Sequence, residues 1–407
     1  MIVNVYGEGS SADPSHVARA SQKYGGTCFV IAASEPRAIA RRSLLENFGK
    51  VVVGSEAHEI AETIRQFEDL TLGIVTFAES GIELANQLSD ILELPKLGSG
   101  TAEVLVDKWD QRKRLNAAWP IETKTMLLSD VLDPGALSYP VVIKPRRGAG
   151  SINTMFAHET SEFINAVREV ERLGDYVVEE SLIGVKDPLG PFLADNLSIE
   201  SVVQRGKITV IGFSGRLPLA EPARDTGLIF PVSLPASWKS QVLEVNMRAI
   251  ECLGIFQGLV HAEIKFCESG PRVIEVNARL GGGLARLMPL TLGMDPVEIA
   301  IGLSTGAEFE ESSMICEPVG VAAHMYIQSP MKAIRIVTLP ELRTLRGLAD
   351  VFRVDRRVAP GDVLDWRNGT AGRLFDVWLY SGDIEKLHES IVRVNETVLQ
   401  NTVWEFR

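Results

Sequence analysis

Between Gly258 and Gly283 the chain reads GLVHAEIKFCESGPRVIEVNARLGGG, two alternating runs separated by a short polar turn. Alternation on both sides of a glycine-bearing turn leaves little but an antiparallel hairpin. A loop of Glu268, Ser269 and Gly270, with Gly270 at the positive-φ position such loops favour, sets the register. Glu263 then lies opposite Glu275, and His261 opposite Asn277. Because strand side chains point alternately to opposite faces, His261, Glu263, Glu275, Asn277 and Arg279 share one face. Ala262, Ile264, Ile274, Val276 and Ala278 share the other, a core face.

Two carboxylates opposed in a partly buried sheet repel each other, so one must protonate or a cation must sit between them. Glu263, Glu275 and the Asn277 amide oxygen form a hard oxygen set, which magnesium accepts while filling its other positions with water and phosphate oxygens. A solvated strand face is the plainer reading. It is set aside because the chemistry clusters on one side and runs into the glycines 281–283. His261 taken alone reads as a satisfied structural histidine.

A second segment, YPVVIKPRRGAGS, is an apolar strand ending at Lys144 and followed by a basic, glycine-rich turn. Gly148, Ala149, Gly150 and Ser151 leave backbone N–H groups free to approach phosphate oxygens, and Lys144 adds a point charge. An ordinary β-turn uses the same residues. YVVEESLIG then offers strand backbone for an adenine edge, with Glu179 and Glu180 as acceptors from an exocyclic amine or ribose hydroxyls.

Residues 1 to about 95 alternate apolar strands with helical patterns, the signature of a parallel sheet covered by helices. There GEGSSA matches a dinucleotide-type G-x-G-x-x-A, with Glu35 after the second strand, but a tight strand-to-helix turn needs the same glycines. LPKLGSG reads as a connector, and residues 197–214 as a hairpin turning at Arg205-Gly206. The length of 407 residues suggests two to three domains. A formal charge of −12 disfavours nucleic acid and anionic membrane surfaces as partners. No apolar run spans a bilayer, no signal peptide is visible, and the four cysteines show no C-x-x-C spacing, so a reduced cytoplasmic protein is expected.

Taken in order, a helix-borne Lys108 in VDKWDQR, VVIKPRRGAGS, VVEESLIG, HAEIKF and IEVNARLGGG resemble the ATP-grasp superfamily over nearly the whole chain. The resemblance implies an α/β fold, α+β in its centre. It would comprise an N-terminal Rossmann-like domain at 1–95, an ATP-grasp domain at 96–330 with a lid at about 120–180, and a small C-terminal lobe at 331–407. It implies that Lys108 and Lys144 hold ATP phosphates under the 148–151 loop, and that Glu179, Glu180, Ser181 and Leu182 line the adenine and ribose site. Asp187, Asp195 and Asn196 are all candidates for a ribose contact. Glu263, Glu275 and Asn277 would ligate Mg2+, with Mn2+ as a substitute, and Arg279 would stabilise an acyl phosphate and the tetrahedral intermediate.

Within the superfamily the layout is most similar to bacterial L-amino acid ligases, which form dipeptides or related amides and act on small molecules, here expected as a homodimer. Glu79 in TFAES would meet a substrate ammonium. Asp225, Thr226 and Gly227 fit a substrate loop, but Leu228 stands where a histidine is expected. Arg216, His261, Gly282 and Gly283 complete the substrate side, and Gly283, where relatives carry bulk, predicts a roomier acid pocket. Two alternatives stay open. One is a purine- or biotin-type ligase or carboxylase, with Arg216, Arg224 and Arg286 as a second phosphate pocket. The other is a nucleotide-binding module without catalysis.

Overall fold

The structure, a computed structural model, describes residues 1–118 and 122–406. The expected lid boundary at about 120 lies outside the described residues. The chain opens with four parallel strands, β1 (Ile2–Val5), β2 (Thr27–Ala32), β3 (Lys50–Gly54) and β4 (Gly73–Thr76), in the order β3-β2-β1-β4. All four residues of β1 are buried, as a strand covered on both faces requires. The GEGSSA turn is compact. Glu35 accepts from the Glu8 N–H at 3.0 Å, and a Cβ on Gly7 would run into Ser80 and Ala78. These are the marks of the tight-turn reading.

A small antiparallel sheet follows, with β5 (Thr125–Leu127), β6 (Val141–Pro145), β7 (Met155–Ala157) and β8 (Tyr176–Glu180) in the order β5-β8-β6-β7. The remaining strands are β9 (Asn196–Gln204), β10 (Lys207–Arg216), β11 (Gly227–Phe230), β12 (Gly258–Cys267), β13 (Gly270–Asn277), β14 (Val321–Ile327), β15 (Ala333–Thr338), β16 (Val351–Arg356), β17 (Phe375–Ser381) and β18 (Val403–Phe406). Eight of them form one sheet in the order β13-β12-β9-β10-β11-β14-β17-β16. β9 and β10 turn at Arg205-Gly206, whose φ values of 50° and 81° both lie in the left-handed region.

The hairpin β12–β13 has the expected register at its working end, reached by another route. Cys267 pairs with Gly270, so the loop has two residues rather than three, and a bulge between Glu263 and Ile264 restores the pairing of Glu263 with Glu275 and His261 with Asn277. The bulge also moves Val273 into the core while Ile274 stays partly exposed. Behind the hairpin runs the helix Ala236–Leu253, ended by Gly254 in the left-handed conformation. Its Val242, Ala249, Ile250 and Leu253 are buried with Ala262, Ile264 and Val276. At about 1.5–3 kcal/mol per large aliphatic side chain, this layer anchors the hairpin from behind and leaves its other face to the polar side chains.

One expectation changes. β16 and β17 come from the segment read as a C-terminal lobe, yet they continue the central sheet beyond β14. The same segment also holds a separate two-stranded sheet of β15 and β18. No helix among the described residues is long and apolar enough to cross a membrane.

Candidate active site on one face of the large sheet

The polar face begins at the hairpin edge. Lys108 starts a helix at Lys108–Ala118, and its ammonium lies 2.8 Å from Glu275 and donates to the Gly148 carbonyl at 2.5 Å. Lys108, the glycine-rich loop and the hairpin thus meet at one point. The Asn277 side-chain oxygen is buried there without a hydrogen-bond partner. From the N-terminal domain, Glu79 reaches Arg279 at 3.2 Å. Burial and then the nearby Glu275 raise the Glu79 carboxyl, against the pull of Arg279 and Lys108.

Further across the face, Arg216 is clasped by Glu263 at 2.6 Å, Asp225 at 2.9 Å and the Ser198 hydroxyl at 3.1 Å. Burial opposes its charge, but Asp225 and Glu263 outweigh that and raise the guanidinium above its ordinary value. Burial likewise works against the Glu263 charge, while Arg216 and His261 hold the carboxyl well below the usual range. His261 is hydrogen-bonded to Glu200, which together with Glu263 raises the imidazole despite burial. Asp225 keeps a raised carboxyl because burial exceeds the help from Arg216 and the Gly227 N–H.

On the nucleotide side, Lys144 lies 2.7 Å from Glu179, and Arg112 lies 3.1 Å from its other oxygen. Burial alone would raise Glu179, yet Arg112 and Lys144 bring it down to about 2. Glu180 is held by Arg272 at 2.6 Å. Both carboxylates were expected as adenine or ribose acceptors. Instead each is committed to protein cations, the β8 backbone is paired on both sides with β5 and β6, and Ser181 and Leu182 follow it half-buried. Asp187 stands exposed on the connector, and Asp195 pairs with Lys265 at 2.8 Å.

The loop Gly148–Ala149–Gly150–Ser151 is docked. The Gly150 carbonyl accepts from the Thr370 N–H, and Asn153 donates its N–H to the Arg367 carbonyl at 2.9 Å. Arg146 grips Asp107 beside Lys108 at 2.7 Å, and Arg147 grips Glu83 of the first domain at 2.8 Å.

The glycine run was expected to leave room for an acid. It does something else. A Cβ on Gly281 would come within 2.5 Å of the His261 Nδ1, on Gly282 within 3.3 Å of the Tyr326 hydroxyl, and on Gly283 within 2.6 Å of the His324 Nδ1. The bare backbone lies directly on the sheet from β12 across to β14, and Gly283 also has φ of 83°. The space at Gly283 is filled by His324. Leu228 is corrected in the same way. It is 1% exposed and belongs to the apolar cluster with Leu280, Leu284 and Phe230, so it is a core residue rather than a pocket residue.

Arg216, Arg224 and Arg286 are each held by other protein groups, Arg216 by Glu263 and Asp225. Arg224 donates to the Glu221 and Ser329 carbonyls, and Arg286 bonds Asp13 and lies over Trp378. Reasoning from sequence missed Glu200, Arg112, Tyr326, His324 and Asp376. A signal was present in VAAHMYI, where His324 and Tyr326 interrupt an apolar strand at positions two apart.

The donor set suits a magnesium ion, since Glu275 and Asn277 supply only oxygens and the Asn277 oxygen is buried and unpaired, while Glu263 could join them only by leaving Arg216 and His261. Among the described residues no cluster of three His, Cys, Asp or Glu is arranged for a metal, so such an ion needs the amide and ligand oxygens.

Residues 137–286 match the ATP-grasp domain family. The L-arginine-specific L-amino acid ligase of Bacillus subtilis is 20% identical over 331 residues, which span 80% of this chain and 78% of that protein. The D-alanine–D-alanine ligase of Syntrophotalea carbinolica is 24% identical over 247 residues, 58% of this chain and 77% of that one. The crystal structure of L-amino acid ligase from Bacillus licheniformis superposes with a TM-score of 0.76 at 18% identity, covering 100% of this chain and 98% of that one.

Proposed function

We propose that this chain, which carries an ATP-grasp domain in an ATP-grasp fold, is an ADP-forming ligase that joins an amino acid carboxylate to an amine. The observation that carries the reading is the meeting of Lys108, Glu275, Arg279 and Glu79, drawn from three separate stretches of chain, beside a docked glycine-rich loop.

In this reading Lys108 and Lys144 bind the ATP phosphates, and the loop at 148–151 excludes water from them. The substrate carboxylate attacks the γ-phosphoryl group, which leaves ADP and an acyl phosphate. Glu263, Glu275 and Asn277 would hold magnesium, which neutralises charge on the transferring group, and Mn2+ suits the same oxygens. Arg279 orients the carboxylate and stabilises the oxyanion as the amine attacks the acyl carbon and phosphate departs. Glu79, 3.2 Å from Arg279, receives a substrate ammonium in this reading once Arg279 turns to the carboxylate. The family resemblance adds a homodimer, which sizing by light scattering tests.

The test supplies ATP, magnesium and pairs of amino acids and follows ADP, phosphate and the ligated product. Release of AMP and pyrophosphate would overturn the acyl-phosphate route. Arg279→Ala should lower the ligation rate roughly 100- to 1000-fold, and full activity in that variant would remove Arg279 from the chemistry.

A further inference from the structure

Past Arg216 the polar face continues onto strands the reaction has not yet used. Arg216 pairs with Leu228, Leu228 with His324, and His324 with Trp378, so these four side chains form one row across β10, β11, β14 and β17. Tyr326 stands two residues along β14 on the same face. Its side chain is 7% exposed, and its hydroxyl lies under Gly282. Asp225 and Arg216 are close enough to act on its titration.

The hydroxyl differs from its polar neighbours. The His324 Nδ1 and the Trp378 Nε1 are sealed without partners, whereas the Tyr326 oxygen is not among the sealed atoms. It also has no hydrogen-bond partner among the described residues. The ring carrying it is clamped. His324 meets it edge-on with centroids 4.4 Å apart, and Arg373 lies over it at 5.4 Å. Both clamps are held by the fully buried Asp376, at 3.0 Å to His324 and 2.6 Å to Arg373. A free hydroxyl on an immobilised ring is the pattern of a group kept ready for a ligand.

Which ligand follows from position. The phosphate-binding lysines and the magnesium oxygens gather at the β13 edge, and β14 stands five strands away in the sheet order. A group on β14 therefore meets the part of the reactants remote from ATP. We propose that Tyr326 is a substrate-binding residue for the amine partner, its phenol donating to an oxygen of that molecule, and that Asp376 is a positioning residue acting through His324 and Arg373. Burial, with Asp225 next, pushes the phenol above its ordinary value, so it remains a donor. This inference rests on the ligase reading.

The test compares wild type with Tyr326→Phe, which keeps the clamped ring. Each proteinogenic amino acid is offered as the acid with ATP, magnesium and hydroxylamine, and acyl hydroxamate is measured. A second amino acid then replaces hydroxylamine. The expected result is an amine KM raised roughly 10- to 100-fold in ligation, with the KM of the carboxylate substrate unmoved. Asp376→Asn should shift the same amine KM in the same direction. An unchanged amine KM, or an equal rise in both KM values, overturns the assignment of Tyr326. Absence of hydroxamate from wild type with every amino acid overturns the ligase reading itself, and this assignment with it.

Discussion

The two ends of the polar sheet face carry the same ingredients, buried acids among cations, put to opposite uses. At the hairpin end, Glu275 and Lys108 keep 18% and 14% of their side chains exposed, and each has one principal ionic partner. At the β14–β17 end, Asp376 is wholly buried and bound by His324, Arg373 and Arg357. Burial and several partners make a charge expensive to disturb, whereas an accessible pair gives way to a ligand at little cost. One end is arranged to exchange its partners, and the other to keep them.

The strongest way to break this contrast is Asp376→Ala, which strands two arginines beside an emptied centre. It should lower stability by about 3–5 kcal/mol, whereas Glu275→Gln, which leaves Lys108 its bond to the Gly148 carbonyl, should cost less, both read from urea unfolding. Equal losses would erase the distinction.

A smaller effect follows from pH. Burial chiefly, with Arg373 and Arg357 assisting against Asp376, lowers His324 from 6.5 to about 4. As pH falls, the unfolded chain takes up that proton first, so the contribution is whole above 6.5 and about 3 kcal/mol is lost by about pH 4. Glu179, lowered from 4.5 to about 2, acts in the lower window, where its contribution is present above 4.5 and lost as pH falls toward 2. His324→Gln should flatten the stability slope between 6.5 and 4 and leave the lower window intact. A slope unchanged in the variant would show that His324 is not the group responsible.

An effect smaller than that of Asp376 is expected at Gly283. Alanine there must adopt a positive φ and press on His324, at a cost of about 1–3 kcal/mol. A bulkier residue would displace His324 before narrowing any pocket. A stable Gly283→Ala protein with His324 in place, seen by crystallography, would argue against close packing as the reason for the glycine.

What was legible in the sequence follows the range of the interactions. Alternation in HAEIKF and RVIEVNAR put Glu263, Glu275, Asn277 and Arg279 on one face because that periodicity is local. The two-residue turn and its bulge were not legible, since loop length and bulge compensate each other and leave the same pairing at the far end. Glu179 was misread as a free acceptor because Arg112 and Lys144 reach it from 67 and 35 residues away, a juxtaposition no local pattern encodes. The glycine run was read as vacancy for the same reason. His324 and Tyr326 belong to a strand about 40 positions later, and only the sheet order brings them beneath it.

That sheet order also has a consequence for how the protein is made. β14 pairs with β11 on one side and β17 on the other, and β17 brings Asp376. During synthesis the hairpin and its charges emerge well before residue 375, so for a time β14 presents an unpaired edge and His324 lacks its acid. The ribosome must deliver the chain as far as β17 before this face is finished, and a premature stop after β14 would release the earlier strands with an open, adhesive edge.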